Sequence, residues 1–576
     1  MSWPKASLYP ILSSFCVMVE SVFSFSTRTN EAAGRSGTLG ETLRSVSPQD
    51  AVSWVWLAYD QLNVAFLESL NQSDLGVVLI ESSAKARRRP YHQQKLGVLL
   101  ANQRHFAVEL QAQGVPVLYL LSDADYGAVL NEVAGTCGPV HCFHHAEREL
   151  RKEVEQLVVS GVLVEHAHPG WLTPQSWFVE SVGEAPPFRM DSFYRKVRQQ
   201  TGWMMEHGKP LGGKYSFDAE NRFPWKGDPP APPPPVYEAD AIDREVEAMV
   251  GRVYADHPGT VDLTAQPTSS EQIEQSLRFA MDCLPNFGTY EDAMSEKSRG
   301  LFHSRLATLV NLHRLMPRRL VDAALTSDAP INSVEGFVRQ MIWREYVHHI
   351  HDVTDGFRTL EVARTSSMRG AGWEGFVEVD GELHPNHLTQ TNALPEAFWG
   401  EKSGLRCLDA SVESVMEDGW THHIPRLMVL SNIANLLDVN PRQLTDWFHA
   451  AFIDAYDWVV EPNVLGMGTF ALGTAMMTKP YVAGSAYINR MSDHCKTCQF
   501  HHKKTCPMTR LYWAYLTRHR ESFVGNHRMA IALKNVERRA EEEKAMDNAT
   551  FEHVRETLLA GREVRPAAEG DLRAWS

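Results

Sequence analysis

A regular alternation of apolar runs with amphipathic segments, from residue 52 to about residue 170, constrains the fold of this chain most strongly. The segment LGVLLANQRHFAVELQAQG (96–114) has helical spacing and ends at Gly114. Because parallel strands are joined by helical crossovers, this order predicts a parallel, Rossmann-like α/β sheet, although no Gly-x-Gly-x-x-Gly fingerprint follows the first strand. The predicted strands are WVWLAY (54–59), LGVVLIE (75–81), PVLYLLS (116–122) and PVHCFHH (139–145).

A proline-rich stretch separates this region from the rest of the chain. Successive prolines in KGDPPAPPPPVYEAD (226–240) favour an extended conformation over helix or sheet. Beyond it, VEGFVRQMIWREYVHHIH (334–351) and HHIPRLMVLSNIANLLD (422–438) have apolar residues at helical spacing. The expected divisions are an N-terminal extension or targeting segment (1–50), an α/β domain (51–190), an interdomain linker with the prolines (191–245), a helical domain (246–530) and a charged, solvated C-terminal helix and tail (531–576).

The first residues and the charge bear on location and partners. MSWPKASLYPILSSFCVMVESVFSFSTRTN has one acidic residue, Glu20, and predicts a cleaved targeting segment, a disordered extension or a misjudged start site. No apolar run spans a bilayer, so we expect an intracellular soluble monomer, organelle-targeted if residues 1–50 are a targeting segment. With a net charge of −15, any nucleic-acid site must be a local basic patch.

Three cysteines lie close together near the C-terminus, in HCKTCQFHHKKTCP (494–507). The spacing C-x2-C-x7-C suits zinc or an iron–sulfur cluster, and eight cysteines in so long a chain do not indicate a disulfide framework. Zinc would take a nearby histidine as its fourth ligand, whereas a cubane cluster would take a distant cysteine. The spacing alone favours zinc at least as much as iron and sulfur.

The residues around these cysteines resemble a known family. GMGTFALGTAMMTKPYVAGSAYINRMSDHCKTCQFHHKKTCPMTRLYWAYL (466–516) is similar to the C-terminal part of the iron–sulfur bacterial cryptochromes and photolyases, also called prokaryotic (6-4) photolyases or photolyase-related proteins. The resemblance covers residues 52 to 530 and implies the cryptochrome/photolyase fold, an α/β domain followed by a large all-α FAD-binding domain. Further matching stretches, in the same order, are 193–222, 283–294, 334–346, 398–410 and 421–448.

The resemblance implies two cofactors. It assigns a [4Fe–4S] cluster to Cys407, Cys495, Cys498 and Cys506, with a shorter loop before Cys506 than is usual in the family. Ala307 stands where a second serine is usual in the FAD site. Without the resemblance, an arginine and an aspartate in that site would be interpreted as a structural ion pair. The implied FAD residues are Tyr290, His303, Ser304, Arg305, Leu306, Gln340 and Arg344 on the phosphate side and Arg426, Asp454 and Asn463 around the isoalloxazine ring.

The resemblance also implies the activity. Trp399 and Trp447 match the route by which electrons reach the flavin, while Phe448 stands where tyrosine occurs in some members. The leading hypothesis is a light-dependent (6-4) photolyase that flips lesions out of UV-damaged DNA. The alternatives are a blue-light photoreceptor of the cryptochrome type and a zinc-stabilised nucleic-acid-binding protein. The implied active-site residues are His422, His423 and Tyr481.

Two further expectations concern light harvesting and DNA. The family carries an antenna, 6,7-dimethyl-8-ribityllumazine, and the stretch 81–107 matches its region, so we expect this antenna, another one, or none. Lys85 and Tyr91 depart from the usual pattern. The matching antenna residues are Glu81, His92, Lys95, Arg104, His105 and Phe106. The candidate DNA-binding basic residues are Lys503, Lys504, Arg510, Arg518, His519 and Arg520.

Overall fold

The N-terminal part of the protein folds around a five-stranded parallel sheet. The computed structural model describes residues 38–362, 364–366 and 383–566, so most of the predicted targeting segment lies outside the described residues. The strand order is β3-β2-β1-β4-β5, and all neighbouring pairs are parallel, which confirms the predicted sheet. The strands are β1 (Ser53–Trp56), β2 (Leu75–Ser82), β3 (Val117–Ser122), β4 (Val140–Phe143) and β5 (Leu163–His166).

Alternate residues of these strands enter two different cores. Trp56 and Val78 face the core that continues into the helical domain, whereas Val55 and Val77 face a smaller core on the other side of the sheet. Leu39, from the predicted N-terminal extension, is fully buried in the smaller core. The helices of this part are α1 (Thr38–Thr42), α2 (Ala65–Ser69), α3 (Ser83–Ala86), α4 (Gln93–Ala112), α5 (Tyr126–Cys137) and α6 (Arg148–Val159).

The predicted linker contains more regular structure than its sequence suggests. It holds one helix and a two-stranded hairpin before the proline-rich stretch, which has neither helix nor strand, as predicted. The helix after the prolines packs against α4 of the first domain. α7 (Gln175–Val182) precedes the predicted linker, and the elements that lie in or overlap it are α8 (Met190–Thr201), β6 (Met205–Glu206), β7 (Lys209–Pro210) and α9 (Ala241–Val253).

The remainder is helical, as predicted, apart from a short antiparallel pair, β8 (Arg364–Ser366) with β9 (Leu383–Pro385). Two π-helical segments, Arg426–Ser431 and Pro462–Gly468, each continue a short α-helix. The helices are α10 (Ser270–Phe287), α11 (Ala307–Asn311), α12 (Pro317–Leu325), α13 (Ile331–Val353), α14 (Arg406–Asp418), α15 (His423–Pro425), α16 (Asn432–Leu436), α17 (Pro441–Ala451), α18 (Asp457–Glu461), α19 (Ser485–Met491), α20 (Met508–Arg518), α21 (Ala530–Arg538) and α22 (Glu541–Leu559).

The charged C-terminal segment packs on the helical domain instead of standing in solvent. Phe551, Val554 and Leu558 of α22 are buried, and α22 lies along α20. Their spacing of three and four residues gives this helix one apolar face beneath its many charges. The chain then runs on to Val564, which is fully buried.

The two domains meet across a buried polar contact. The ammonium group of Lys95, on α4, donates to the carbonyl oxygens of His449 at 2.7 Å and Ala455 at 2.6 Å. The His92 ring, at the start of α4, bonds the Met416 carbonyl at 3.0 Å. Because a buried cation without these oxygens would be costly, the contact fixes how the domains sit together. None of the helices within the described ranges has the length and apolar character that membrane crossing requires.

Candidate functional site

Three predicted site histidines lie together inside the helical domain. His422 precedes α15, His423 begins it, and His303 lies in the loop between α10 and α11. The rings of His303 and His422 stack with centroids 4.1 Å apart and planes at 18°. One ring nitrogen from each of the three lies within 4.8 Å of the others. His422 has an extended backbone before this short helix, and the rings of His422 and His423 both contact the ring of His303.

Burial keeps these imidazoles neutral. It lowers the pKa of His422 and of His303 well below 6.5, and the neighbouring histidines lower both further. The pKa of His423 is also lowered, again chiefly by burial. Among the described residues, His303 Nε2 and His422 Nδ1 have no hydrogen-bond partner although both are buried. Since buried polar atoms are normally paired, these two nitrogens indicate a bound group at this point.

A paired arginine and aspartate adjoin the histidines. Arg426 begins the π-helical segment, and both of its terminal nitrogens donate to Asp454 at 2.9 Å. Its Nε donates to the Thr421 carbonyl at 2.7 Å, and its guanidinium lies 4.3 Å from the centroid of Phe452. These contacts hold a fixed positive charge next to His422 and His423, with the buried Asp454 behind it.

A carboxylate that the sequence analysis did not single out organises the phosphate-side residues. Glu291 is buried, and its Oε1 accepts from Gln340 Nε2 at 2.7 Å while its Oε2 accepts from Asn221 Nδ2 at 2.8 Å. The hydroxyl of the adjacent Tyr290 donates to the Asp228 carbonyl at 3.1 Å. Glu291 lies in the matching stretch 283–294, so the motif contained it although no role was assigned to it.

The other predicted FAD residues have separate partners. Arg305 has a left-handed φ of 56° and lies 4.5 Å over the ring of Trp420. Arg344 donates to Asn311 Oδ1 at 2.9 Å and lies 4.3 Å over the ring of Trp171, toward the α/β domain. The remaining contacts are Ser304 Oγ with the Leu306 amide at 3.5 Å, and Asn463 Oδ1 with Trp343 Nε1 at 3.0 Å.

Aromatic side chains form a continuous path toward Arg426. Trp399 and Trp447 have ring centroids 6.5 Å apart, and Trp447 lies 5.0 Å from Phe448. Phe448 stacks on Phe452 at 5.0 Å with planes at 18°, and Phe452 lies beneath Arg426. The structure therefore brings the two predicted tryptophans together and adds Phe452 to the path. The two phenylalanines complete the path in space but are much harder to oxidise than tryptophan.

An exposed rim lies beside His423. Tyr481 is 37% exposed, and the charges of Asp218 and Arg222 act on its hydroxyl. Arg222 forms an ion pair with Asp218 and lies 3.9 Å from Asp292, while the charge of Asp218 also acts on His423. Burial, with Glu291 and Asp218 adding repulsion, raises the pKa of Asp292 to about 7. The rim thus combines an aromatic ring with charged groups of both signs.

The four predicted cysteines line one cavity. Cys407 lies in the first turn of α14, and Cys495, Cys498 and Cys506 lie between α19 and α20. Burial and the other three sulfurs raise the pKa of Cys407 well above 9, and burial raises those of Cys495 and Cys506 to about 11 and about 12. Thiols in such surroundings become thiolates only beside a strong positive charge, which a metal centre supplies. The apolar walls are Leu405, Ile488, Phe500 and Met508.

Comparison with known proteins identifies the family. The family described as "Deoxyribodipyrimidine photo-lyase-related protein" matches residues 55–265, and "FAD binding domain of DNA photolyase" matches residues 337–518. The (6-4) photolyase of Agrobacterium fabrum (strain C58 / ATCC 33970) is 33% identical over 494 residues, 82% of this chain and 92% of that protein. The chain belongs to the photolyase/cryptochrome family. Its helical domain is the FAD-binding domain of that family.

Solved structures agree with the predicted fold. The cryptochrome of Synechocystis sp. PCC6803 aligns over 76% of this chain and 86% of its own, with a TM-score of 0.50 and 14% identity. A bacterial class III photolyase from Agrobacterium tumefaciens aligns over 88% of this chain and 98% of its own, with a TM-score of 0.49 and 14% identity. The Synechocystis structure, together with the family membership of the chain, confirms the predicted cryptochrome/photolyase fold.

In this photolyase-family chain, the C-terminal residues also reach the cysteine cavity. The Val564 amide donates to the Ser403 carbonyl at 2.9 Å, just before the segment that carries Cys407. The side chain of Gln499, next to Cys498, donates to the carbonyls of Gly404 at 2.8 Å and Val564 at 3.1 Å. The C-terminal segment around Val564 thus connects the two segments that supply the cysteines.

Four of the six candidate DNA-binding basic residues form ion pairs with acidic residues. The exceptions are Lys503 and Lys504, which are exposed. The pairs are Arg510 with Asp547 at 3.2 Å, Arg518 with Asp438 at 2.9 Å, His519 with Asp438 at 2.8 Å and Arg520 with Glu537 at 2.6 Å. These acids come from other segments, so the basic composition of this stretch did not reveal them.

Several buried polar atoms without partners in the described part of the chain belong to residues near the point where the strand order of the α/β sheet reverses. β1 pairs with β2 on one side and β4 on the other, so the chain ends of β1 and β4 diverge at a topological switch point, where α/β sheets bind ligands. The crevice expected at such a switch point adjoins the helical domain, because Tyr456 and Arg344 of that domain both interact electrostatically with Asp60, which follows β1. Six of the buried polar atoms that have no partner among the described residues belong to β1, to the segments that follow β1 and β4, and to α13 and α18: Trp56 Nε1, Tyr59 Oη, Asp60 Oδ1, His145 Nε2, His348 Nδ1 and Trp458 Nε1.

The residues that matched the antenna pattern contact other protein groups. Arg104 pairs with Glu81 at 2.6 Å, and His105 Nε2 lies 3.1 Å from Asp243 Oδ1. His92 and Lys95 hold the domain contact described above, and Phe106 is buried in the smaller core. These residues therefore have partners within the protein, and their assignment to an antenna site stays a prediction.

Proposed function

We propose that this chain is a light-dependent (6-4) photolyase that repairs pyrimidine–pyrimidone (6-4) photoproducts in UV-damaged DNA with FAD. The observation that carries the proposal is the group of three neutral histidines, with two unpaired nitrogens, between the Arg426–Asp454 pair and an exposed aromatic rim. This arrangement supports a flavin on one side and a DNA base on the other. The identity to a (6-4) photolyase over most of the chain supports the same lesion.

Arg426, Asp454 and the histidines are the residues proposed to hold the flavin ring. FAD, when bound in its reduced form, supplies an electron on excitation by light. The guanidinium of Arg426 keeps a positive charge beside the ring, which favours its reduced, anionic form. Asp454 fixes the orientation of that guanidinium through two bonds of 2.9 Å.

His423 is the residue proposed to hold the proton for the lesion. It is half-buried at the edge of the group, whereas His422 behind it is almost fully buried. Its lowered pKa leaves it neutral in the free protein at neutral pH. An anionic DNA phosphate at the rim favours the protonated imidazolium, so lesion binding charges His423 when a proton is needed. Proton transfer contributes typically about 10²–10⁴-fold to a rate.

Tyr481 is proposed to stack on the flipped base at the mouth of the site. A lesion in duplex DNA must leave the base stack before it reaches His423. An aromatic face at the rim replaces part of the stacking that the base loses. Arg222 lies close enough to Tyr481 for its charge to act on the hydroxyl, which places a cation near the phosphates of the flipped nucleotide.

A [4Fe–4S] cluster is the proposed occupant of the cysteine cavity. Zinc held by four thiolates would bring the sulfurs to about 3.8 Å from one another, from a bond length of about 2.3 Å. In the described part of the chain, the sets of three or more ligand atoms within 4.8 Å of one another do not include these cysteines. The wider spread suits a cluster whose irons each take one thiolate. The proposed role of the cluster is structural, because its ligands would connect α14 to the segment before α20.

An antenna chromophore is proposed for the crevice between β1 and β4. Six buried donor and acceptor atoms without partners suit a planar, hydrogen-bonding heteroaromatic molecule, and 6,7-dimethyl-8-ribityllumazine has that chemistry. Two of these atoms, on His348 and Trp458, belong to the helical domain, whose FAD would receive the excitation. Reconstitution with this lumazine, followed by energy transfer to FAD in fluorescence, tests the assignment.

The repair reaction is best tested with His423 variants. His423→Ala and the size-matched His423→Gln are assayed on a synthetic (6-4) oligonucleotide under blue light and in the dark, with FAD content measured on each preparation. We expect wild-type repair in light alone and a loss of about 10²-fold or more in both variants, with FAD retained. Wild-type protein that leaves the lesion intact in light contradicts the function, and full repair by both variants contradicts the role of His423.

A further inference from the structure

Two aromatic side chains stand out at the surface. Among the large apolar and aromatic side chains in the described ranges, Phe223 is 55% exposed and Tyr481 is 37% exposed, and the other exposed members are aliphatic. Both aromatic residues lie beside Arg222, since Phe223 follows it in the chain and Tyr481 feels its charge. Both of the exposed large aromatic side chains in the described part of the chain therefore lie at the rim of the proposed lesion site.

The segment that carries Phe223 is firmly anchored. Asn221, two residues before Phe223, is buried, and its side-chain Nδ2 donates to Glu291 Oε2 at 2.8 Å. The Phe223 amide itself donates to the Thr289 carbonyl at 3.3 Å, and Trp225 Nε1 donates to the Pro229 carbonyl at 2.8 Å. A loose loop would fold an aromatic ring back onto the protein, whereas this backbone is fixed and holds the ring in solvent.

We propose that Phe223 inserts into the DNA duplex and fills the space that the flipped lesion leaves behind. The inference rests on the proposed function. Removing a nucleotide from the stack leaves a gap beside its former neighbours and costs stacking energy. Apolar side chains that enter between base steps compensate for such losses in DNA-binding proteins. Tyr481 would contact the flipped base while Phe223 occupies its former place.

A side chain that inserts into the duplex, here called a wedge, affects binding of duplex DNA but not of single-stranded DNA. A residue that only stabilises the fold affects both. A single-stranded lesion has no opposite strand and leaves no gap to fill, so loss of the ring should weaken duplex binding alone. Stacking of a base on an aromatic ring corresponds to about 5- to 150-fold in affinity. We therefore expect Phe223→Ala to raise the dissociation constant for a (6-4) duplex by about tenfold or more, and that for the single strand by less than about twofold.

The experiment compares dissociation constants for matched duplex and single-stranded (6-4) oligonucleotides by fluorescence anisotropy. Phe223→Trp keeps an aromatic wedge and should retain duplex affinity, and Val236→Ala, at another exposed apolar position, should change neither constant. A 2-aminopurine opposite the lesion should be more fluorescent with Phe223→Ala than with wild type, because nothing then stacks on it. Bound FAD and circular dichroism of each variant show that the fold is intact.

Two outcomes overturn the proposal in distinguishable ways. If Phe223→Ala weakens duplex and single-strand binding equally, or weakens neither, Phe223 is not a wedge although lesion binding stands. If wild-type protein binds lesion-containing and undamaged duplexes equally and leaves the lesion unrepaired in light, the proposed function is wrong. The proposal for Phe223 is then wrong as well. The proposal is supported if Phe223→Ala lowers the affinity for the duplex alone and Phe223→Trp retains that affinity.

Discussion

Asp60 lies in the crevice proposed for the antenna, and its carboxyl group is buried without enough partners to stabilise its charged form. Burial raises its pKa from 3.8 to about 7, with Asp457 adding repulsion and Lys85 and Arg344 opposing the rise. Its Oδ1 has no partner among the described residues. A buried carboxylate without a partner destabilises the ligand-free protein. The same carboxylate can accept a hydrogen bond from a ligand. Replacing Asp60 by Asn should therefore stabilise the ligand-free protein and weaken ligand binding.

The size of the effect follows from the shifted pKa. A carboxyl whose pKa is raised on folding binds a proton that the unfolded chain releases, so stability is fully present below pH 3.8 and is lost as pH rises through 7. The cost relative to a neutral side chain is about 4 kcal/mol at pH 8 and about 2 kcal/mol at pH 5. Asp60→Asn should therefore gain about 2–3 kcal/mol more over wild type at pH 8 than at pH 5.

Urea unfolding at the two pH values, followed by tryptophan fluorescence in chromophore-free protein, measures this difference. Comparing the variant with wild type in the same transition cancels every other titrating group. Asp256→Asn, at an aspartate whose side chain is 72% exposed, is the control and should show no such pH-dependent gain. The reasoning is refuted if Asp60→Asn is less stable than wild type at pH 8, or if its advantage over wild type is equal at both pH values.

Three further predictions concern the flavin and the cluster. Phe448→Tyr should speed the light-driven reduction of FAD, measured by its absorbance, because a tyrosine in contact with Trp447 and Phe452 is easier to oxidise than phenylalanine. Trp447 also contacts Phe452 directly at 5.7 Å, so equal rates would show that the electron path does not use position 448. Asp454→Asn should destabilise the holoprotein by about 2–3 kcal/mol in urea and release FAD, because Arg426 loses its charged partner, and unchanged FAD content would contradict this. Gln499→Ala should hasten the loss of iron–sulfur absorbance in air several-fold, whereas an unchanged rate would show that the tie to Val564 does not protect the cavity.

Helices and strands could be predicted where the pattern of apolar residues within the element is sufficient to identify it. The predicted strands correspond to β1–β4 because each is a continuous apolar run, and α13 follows from its spacing. The edge strand β5 was missed because only its first residue, Leu163, is buried and the rest of the strand faces solvent. The apolar face of α22 was visible in the spacing of Phe551, Val554 and Leu558, but the many charges around it suggested a solvated segment.

The site was predictable only as far as motifs reach. The histidines at 422 and 423, the Arg426–Asp454 pair and the cysteines were found because each lies in a stretch that resembles the family. The crevice at Asp60 was not found, because its walls come from β1, β4 and the helical domain, and strand order alone brings them together. Charge partners show the same limit, since the acid that pairs with Arg518 lies 80 residues away in the chain.

Repair of a (6-4) photoproduct by anaerobically purified wild-type protein, in blue light and in darkness, tests the central claim most directly. A cyclobutane dimer in the same sequence is the matched substrate, and flavin, iron, sulfide and zinc are determined on the same sample. We predict light-dependent repair of the (6-4) lesion by protein with bound flavin and about four irons per chain, as a four-cysteine cubane requires. A colourless zinc protein, or a flavoprotein that leaves the (6-4) lesion unchanged in light, would contradict the account.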